Sequence, residues 1–401
     1  MEHSSNLESS QITLPSSGLW PKLPALGVGL GVLGLGLSFV LAGSDHHQLA
    51  FSYLTAFVFW LTLALGGLFF VILHFLSRAG WSVVVRRLAE KVASTVPLFA
   101  VLFLPIGLLW MHDLFHWTHA DAIAHDPLLA HKQPYLNTPF FLVRAAIYFV
   151  VWIGLAMYFN KASRQQDDSG DLAITGKLNK NSAIAMVLFA VTLNFAAFDW
   201  LMSLEPHWFS TIFGVYVFAG SVVGIFATLI VMCIRLQAAG ALKGVVTGEH
   251  YHDMGKMLFG FVVFWAYIGF SQFMLIWYAN IPEETLWFDA RWQGGWENVS
   301  IFLAAGHFGL PFFYLISQPV KRNRLAMTVG ALWLLFMHYV DIYWMVMPTH
   351  HDSFHVTLLD LTCWLGIGGL FLAALGRALA QGNLVASKDP RLVESLTFEN
   401  V

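Results

Sequence analysis

Residues 51–76 read FSYLTAFVFWLTLALGGLFFVILHFL and contain no Asp, Glu, Lys or Arg. A helix over this stretch would be about 39 Å long, which exceeds the roughly 30 Å hydrocarbon core of a bilayer. Lipid offers no hydrogen-bond partner to a backbone, so a segment that crosses it satisfies its own amide groups by forming a helix. We therefore predict a transmembrane helix at 51–76.

Similar apolar segments continue on both sides of this one. They occur at 23–43, 91–112, 139–160, 181–203, 210–236, 257–279, 299–318, 324–347 and 355–380. Pro97, Pro105 and Pro311 lie inside two of these segments and are expected to kink their helices. The predicted fold class is all-α integral membrane, with about ten transmembrane helices.

Composition narrows the class of protein further. Hydrophobic residues make up 57% of the chain and charged residues only 11%, so lipid has to serve as part of the solvent. A net charge of −3 argues against nucleic acid as a partner. Cys233 and Cys363 lie in apolar runs, and no CxxC occurs, which excludes a disulfide scaffold, an iron–sulfur cluster and a c-type haem attachment. The polar first 22 residues lack the basic region of a signal peptide, so the first span is expected to be retained.

Basic residues predict the orientation of the ten-helix domain at 23–380. Alternate connections divide the 21 Lys and Arg residues unequally: 18 fall on one side, Lys132 and Arg291 on the other, and Arg144 within a span. Positively charged loops stay in the cytoplasm, so both polar tails, at 1–22 and 381–401, are predicted to be cytoplasmic.

Histidine has the opposite distribution. Most of the 17 histidines lie in, or border, the predicted outer loops. These are His46, His47, His112, His116, His119, His125, His131, His207, His350, His351 and His355. The outer face is thus rich in groups that titrate near neutral pH, or that are simply solvated at the membrane surface.

Two short similarities predict an internal repeat. Asp199 precedes Pro206 by the same spacing that separates Asp341 from Pro348. LLWMHD at 108–113 resembles LIWYAN at 275–280. Both pairs are offset by four spans, which favours two parallel-repeat four-helix bundles, repeat A at about 51–203 and repeat B at about 210–347, plus two peripheral helices.

Six ionisable residues from five spans are predicted to lie at similar depth below the outer surface. At 1.5 Å per residue the depth is roughly 6 Å for Asp199, 8 Å for Arg144 and Asp360, 9 Å for Asp341, and 12–14 Å for His307 and His338. Charged groups in lipid are costly, so each is a functional candidate. His338, Asp341, Asp199 and Arg144 are the candidate catalytic or proton-relay residues. His307, Asp360, Asp113 and His112 are candidate supporting or proton-path residues.

Structural roles remain open for several of these residues. Arg144 would form an ion pair with one of the aspartates. His338 and Asp341 lie three apart on one helix face and would satisfy an interhelical hydrogen bond with a neighbouring span. His112, His116 and Asp113 are spaced as metal ligands, but no further ligand follows, so no metal is predicted.

The chemistry that this layer fits is quinol oxidation. A quinol releases two protons with its two electrons, so its site needs two acceptors of the His or carboxylate type. Asp199, His338, Asp341 and His307 supply them, and Arg144 would keep one carboxylate ionised. The same layer fits the exit of a proton path equally well.

Two longer motifs carry a resemblance to a known family. Residues 198–216 read FDWLMSLEPHWFSTIFGVY, and residues 270–285 read FSQFMLIWYANIPEET. Both resemble the F-type membrane subunit of bacterial alternative complex III, a quinol:cytochrome c oxidoreductase, within the wider NrfD-like membrane-anchor family. The resemblance extends over roughly 25–380.

The resemblance implies partners and a location. It implies a related NrfD-like membrane subunit, a periplasmic iron–sulfur subunit and c-type haem subunits, assembled in the bacterial inner membrane. Menaquinol or ubiquinol would be oxidised near the outer face, with haems and iron–sulfur clusters on the partners. Whether the quinone binds in this subunit or in its neighbour stays open.

Two other classes of protein remain as alternatives. A secondary transporter built on parallel repeats is one, although no span carries the paired Gly/Pro interruption typical of broken helices. A b-type haem protein with His307 and His338 as axial ligands is the other, and an absorption spectrum would distinguish it.

Overall fold

Ten helices are long and apolar enough to cross a membrane in the computed structural model, which describes residues 7–43 and 45–400. That part of the chain contains no β-strand. In chain order, α1 to α10 are Trp20–Ala42, His46–Leu76, Val83–Leu108, Thr138–Ser169, Leu172–Leu204, Phe213–Ala238, Gly248–Ala279, Trp296–Leu315, Arg324–Thr349 and Leu358–Leu379. The all-α membrane fold and the ten spans are confirmed. The first six residues of the predicted N-terminal tail and Val401 lie outside the described residues.

Local sequence sets several helix ends. The side chain of Asn137 accepts a hydrogen bond from the Phe140 amide at 3.0 Å and caps α4, and Pro139 follows in the first turn. Gly170, at φ +70°, ends α4 in the left-handed conformation. The helix therefore continues well beyond 160, the end predicted from hydropathy.

Helix α3 begins earlier than predicted. It starts at Val83 rather than 91, so three basic residues assigned to the preceding loop lie within the helix. Arg86 and Arg87 are buried there and form ion pairs with Asp389 at 2.6 Å and Asp167 at 2.5 Å. A hydropathy window misses the first eight residues of this helix, because Asp389 and Asp167, which neutralise its arginines, come from distant parts of the chain.

The three prolines mark interruptions of the helices. α3 consists of Val83–Ala93, Val96–Leu102 and Leu104–Leu108, and Pro97 and Pro105 lie in the first turns of the second and third segments. α8 contains a π-helical stretch at Ala304–Gly309, which ends two residues before Pro311. π-Helical turns are frequent at functional sites, so this stretch makes α8 a candidate to contribute to one.

Helices α2 and α6 form the centre of the molecule and pack against each other. α3 and α5 pack on α2, and α4 packs on both of them. α7 and α9 pack on α6, and α8 packs on both of these. α10 lies on the outside of α2 and carries α1.

Glycines allow α1 and α10 to approach closely. A Cβ atom added to Gly34 would lie 2.6 Å from the Gly366 Cα, and one added to Gly369 would lie 2.5 Å from the Gly31 amide nitrogen. Helices in lipid associate by close packing of such small residues, because lipid provides no hydrophobic driving force between them.

The two ends of the bundle differ. We call the end that carries the tails the basic end, and the opposite end, with His47, His112 and His351, the histidine end. At the basic end the N- and C-terminal segments pack on the bundle: the Leu384 amide donates to the Ile12 carbonyl at 2.6 Å, and Leu384 is buried. Much of the segment 381–400 is thus part of the folded structure.

Candidate functional site

The six ionisable residues predicted within the spans are all buried. They separate into three clusters, and no hydrogen bond among the described residues joins one cluster to another. The Asp199 cluster contains Arg144, Tyr148 and Asp199; the Asp360 cluster contains Ser52, Thr357 and Asp360; the Asp341 cluster contains Tyr216, Trp265, His307, His338 and Asp341. The single layer predicted from depth is therefore three distinct environments.

In the Asp199 cluster, a buried ion pair accounts for both charges. The Arg144 Nε and Nη2 atoms donate to the two carboxylate oxygens of Asp199 at 2.8 and 2.9 Å. Tyr148 donates to the same carboxylate at 2.6 Å, and Arg144 Nη1 donates to the Tyr135 carbonyl at 2.8 Å. This bidentate geometry matches the structural role left open for Arg144.

In the Asp360 cluster, the carboxylate caps a helix. Asp360 and Thr357 form a capping box at the start of α10, in which the Thr357 amide donates to Asp360 Oδ2 at 2.8 Å. Ser52 of α2 donates to Asp360 Oδ1 at 2.6 Å. These bonds explain the buried Asp360 without a role in proton transfer.

The Asp341 cluster lacks a counter-charge. Asp341 lies on α9 and accepts hydrogen bonds from the Tyr216 hydroxyl and, at 3.0 Å, from Trp265 Nε1. Its hydrogen-bond partners in the described chain include no Lys or Arg. Asp341 thus differs from Asp199, whose charge Arg144 neutralises.

Two buried histidines complete this cluster. The His307 ring lies in the π-helical stretch of α8 and is 3.9 Å, centroid to centroid, from Trp265. Within the described chain, neither ring nitrogen of His307 has a hydrogen-bond partner. His338 Nε2 bonds to Thr62 Oγ1 at 2.8 Å, while its Nδ1 atom has no partner in the same residues.

His338 and Asp341 face the same part of α6. A Cβ atom added to Gly220 would lie 3.0 Å from His338 Cε1 and 3.6 Å from Asp341 Oδ2. The predicted shared helix face therefore holds, and a glycine on α6 makes room for it. The interhelical hydrogen bonds left open as a structural role are present, because His338 bonds to Thr62 of α2 and Asp341 accepts from Tyr216 of α6 and Trp265 of α7.

An apolar pocket of about 590 Å³ lies beside the Asp341 cluster. Its inner wall includes Tyr216 and Trp265, the two residues that donate to Asp341. Tyr267, Phe270 and Ile301 are exposed and also line the pocket, so it opens sideways between α7 and α8. Gln272 and Ser300 are polar groups in an otherwise largely apolar lining. This size and lining are typical of a small-molecule site.

Sequence reasoning missed the residues that build this pocket. Tyr216 and Trp265 are not among the predicted site residues, because a period-based analysis does not show which aromatic side chains turn inward. A polar partner for each buried Tyr or Trp is the signal that was available.

Arg291 was also missed. Its guanidinium is buried at the histidine end, 3.4 Å from the centroid of the Trp287 ring. It donates to the backbone carbonyls of Trp287, Trp344 and Met345 at 2.6–3.1 Å. Trp344 also lines the pocket, so a positive charge lies near its outer end.

His112 and Asp113 lie apart from the Asp341 cluster. They occupy a short helix, Met111–Leu114, beyond α3, where Asp113 is 3.4 Å from His47 Nε2 and His112 is exposed. Across 7–43 and 45–400, no group of three or more His, Cys, Asp or Glu side chains is arranged to hold a metal ion.

No protein-family model matches the chain, and neither does any curated protein.

Proposed function

We propose that the chain is the membrane subunit of a respiratory quinol-oxidising complex and that the pocket between α7 and α8 receives the quinol headgroup. The observation that carries this proposal is that the pocket and the Asp341 cluster have two residues in common. Tyr216 and Trp265 line a pocket open to lipid and also hydrogen-bond a buried carboxyl group that has no counter-charge. A lipid-soluble molecule that must release protons suits both features.

The three clusters support different roles. Arg144 and Asp199 neutralise each other, and Asp360 caps α10, so neither needs a proton-transfer function to explain it. Asp341 has hydrogen bonds but no counter-charge, and His338 and His307 each keep at least one ring nitrogen without a partner among the described residues. We assign the proton-accepting role to these three residues and remove Asp199, Arg144 and Asp360 from it.

Proton uptake follows from the hydrogen bonds. A quinol loses two electrons and two protons on becoming a quinone. The Tyr216 hydroxyl can accept a proton from a quinol hydroxyl while passing its own to Asp341. The second proton can go to a free ring nitrogen of His307, which is stacked on Trp265 behind the pocket lining, so this transfer would need an intervening water molecule. The two electrons pass to an acceptor of the iron–sulfur or haem type on a partner subunit.

The partners and the membrane implied by the resemblance are part of this proposal. The partners would be the related membrane subunit, the periplasmic iron–sulfur subunit and the c-type haem subunits, and the membrane would be the bacterial inner membrane. The packing of α3 and α5 on α2 and of α7 and α9 on α6 supports two parallel four-helix repeats. The two repeats differ in the tyrosine that donates to the paired aspartates: Tyr148 of α4 donates to Asp199, whereas Tyr216 of α6 donates to Asp341.

Two alternatives are less well supported. A transporter with broken helices would have matched interruptions, yet those observed are in α3 and α8, which a four-span offset does not pair. A haem between His307 and His338 would have to use Nδ1 of His338 or displace Thr62 from its Nε2.

Substitution of Asp341 tests the proposal in the intact complex. We expect Asp341→Asn to lower the rate of quinol oxidation about 100-fold, because removal of a proton acceptor typically costs 10²–10⁴-fold. Asp352→Asn is the matched control, since Asp352 is exposed at the histidine end. Unchanged turnover in Asp341→Asn would contradict the proposed role.

Binding is tested separately from proton transfer. A photoactivatable quinone analogue should label α7 or α8 in the native complex, and Phe270→Ala, at the pocket mouth, should raise KM more than it lowers kcat. Labelling confined to a partner subunit would mean that the quinol binds in that subunit and not in this chain.

A further inference from the structure

A second pocket, of about 450 Å³, lies between α3 and α4 near the basic end. Its lining changes from apolar to polar along α4. Pro97 and Met157 form an apolar wall, and Asn160, Lys161 and Arg164 follow within two turns of the helix. No part of the quinol proposal uses this pocket.

The cationic side chains of this pocket are available to a ligand. Lys161 and Arg164 are exposed, and neither forms a salt bridge among the described residues. Arg164 makes one long hydrogen bond, 3.4 Å, to the Gln381 side chain. Asp168 also lines the pocket and opposes their charge, which leaves the lining one positive charge in excess.

A third basic residue, Lys91, lies near Arg164. Its buried ammonium group donates to the Gln381 carbonyl and lies close enough to Arg164 to interact with it electrostatically. Glu90, Asp167 and Asp389 balance the charges of Arg86, Arg87 and Lys91, so the excess positive charge of the pocket comes from Lys161 and Arg164.

A lipid-facing stripe leads along α4 to the pocket. Val143, Ile147, Val150 and Met157 are all at least half exposed, and their spacing places them on one face of the helix. Lys161 is the next residue of the same face toward the basic end. A molecule with its head among Lys161 and Arg164 would therefore have its apolar part along this stripe.

We infer that the pocket between α3 and α4 binds the headgroup of an anionic phospholipid in the leaflet at the basic end. The phosphodiester would accept hydrogen bonds from Lys161 and Arg164, and the acyl chains would lie against Met157 and the stripe on α4. Basic pockets between transmembrane helices at the cytoplasmic side recognise anionic headgroups in this way. The guanidinium group of Arg164 can bind two phosphate oxygens at once.

Lipid binding to the purified full-length protein tests the inference. Native mass spectrometry with added phosphatidylglycerol should give an affinity about 30-fold lower for the Lys161→Ala/Arg164→Ala variant than for the original chain. Lys177→Ala/Lys180→Ala removes the same charge from exposed positions on α5 at the same end and should retain the affinity. Equal losses in the two variants would overturn the inference, because they would indicate only a general surface attraction.

Two further ligands test the identity of the bound lipid, and a charge-conserving variant is the control for misfolding. Phosphatidylcholine should bind at least tenfold more weakly than phosphatidylglycerol, and inorganic phosphate should not displace the lipid at equal concentration. Equal binding of phosphatidylcholine, or displacement by phosphate, would overturn the assignment to an anionic lipid. The charge-conserving variant Lys161→Arg/Arg164→Lys should keep most of the affinity, and its loss would equally count against the inference.

Discussion

Asp199, Asp360 and Asp341 are all buried, but different partners surround them. Asp199 has a guanidinium partner, Asp360 has the amide and hydroxyl groups of a helix N-terminus, and Asp341 has only the Tyr216 hydroxyl and an indole N–H. A buried charge is tolerated when it is paired or fully hydrogen-bonded. At the scale of single residues, the partner therefore separates structural carboxylates from the one available for chemistry.

The Arg144–Asp199 pair leads to a prediction about stability. Arg144→Met should lower the free energy of unfolding by about 3–5 kcal/mol, because it leaves the Asp199 carboxylate buried without its cation. Thermal unfolding of the purified protein in detergent measures this loss.

The double variant Arg144→Met/Asp199→Leu provides the internal control. It should recover most of the lost stability, because neither charge remains buried. Lys177→Met, an exposed position on α5, should have little effect. A double variant no more stable than Arg144→Met would argue against a mainly structural role for the pair.

At the scale of elements, the connection between α9 and α10 brings histidines together. The rings of His350 and His355 lie 4.2 and 3.8 Å from the ring of His351, and His351 Nε2 donates to Gln48 Oε1 at 2.5 Å. Burial, and then the neighbouring His350 and His355, lower the pKa of His351 from 6.5 to about 4. The folded connection thus favours the neutral ring.

This shift predicts an acid-sensitive histidine end. Since the folded pKa lies below the unfolded value, the unfolded chain binds more protons, and stability falls as the pH decreases from about 6.5 to about 4. His351→Gln removes this titration and should reduce the difference in Tm between pH 7 and pH 5 by roughly 3 °C.

An exposed histidine in the connection between α3 and α4 provides the control for this effect. His125→Gln should leave the pH dependence of Tm unchanged. An acid sensitivity that is equal in the original chain and in His351→Gln would show that other groups govern it.

At the scale of the whole molecule, the basic residues predict which end faces the cytoplasm. Cys233 and Cys363 are both buried, so a cysteine introduced at an exposed position is a specific reporter. Asp121→Cys, at the histidine end, should react with a membrane-impermeant maleimide on intact cells from which any outer envelope has been removed. Lys243→Cys, at the basic end, should react only after the membrane is permeabilised.

The reverse labelling pattern would place the histidine end in the cytoplasm. It would also move the Asp341 cluster to the inner half of the membrane and contradict periplasmic quinol oxidation. Labelling of both cysteines on intact cells would indicate permeable cells, so Asp121→Cys and Lys243→Cys are compared in the same preparation.

Hydropathy predicted the ten spans because the energy of a lipid-facing helix depends on its own residues. The same reasoning placed the beginning of α3 eight residues too late. The burial of Arg86 and Arg87 depends on Asp389 and Asp167, which are far away in the chain. Reasoning from sequence also placed six ionisable residues in one layer, because the depth of a residue along a helix follows from its number.

The rotation of each helix and the identity of its neighbours do not follow from residue number. Packing of α6, α7 and α9 places Tyr216 and Trp265 on Asp341, and packing of α4 on α5 places Arg144 on Asp199. The amino-acid order alone thus establishes that the chain crosses the membrane about ten times and which residues are costly to bury. Only the three-dimensional packing establishes which of those residues are neutralised and which border a pocket, because that depends on side chains brought together from separate helices.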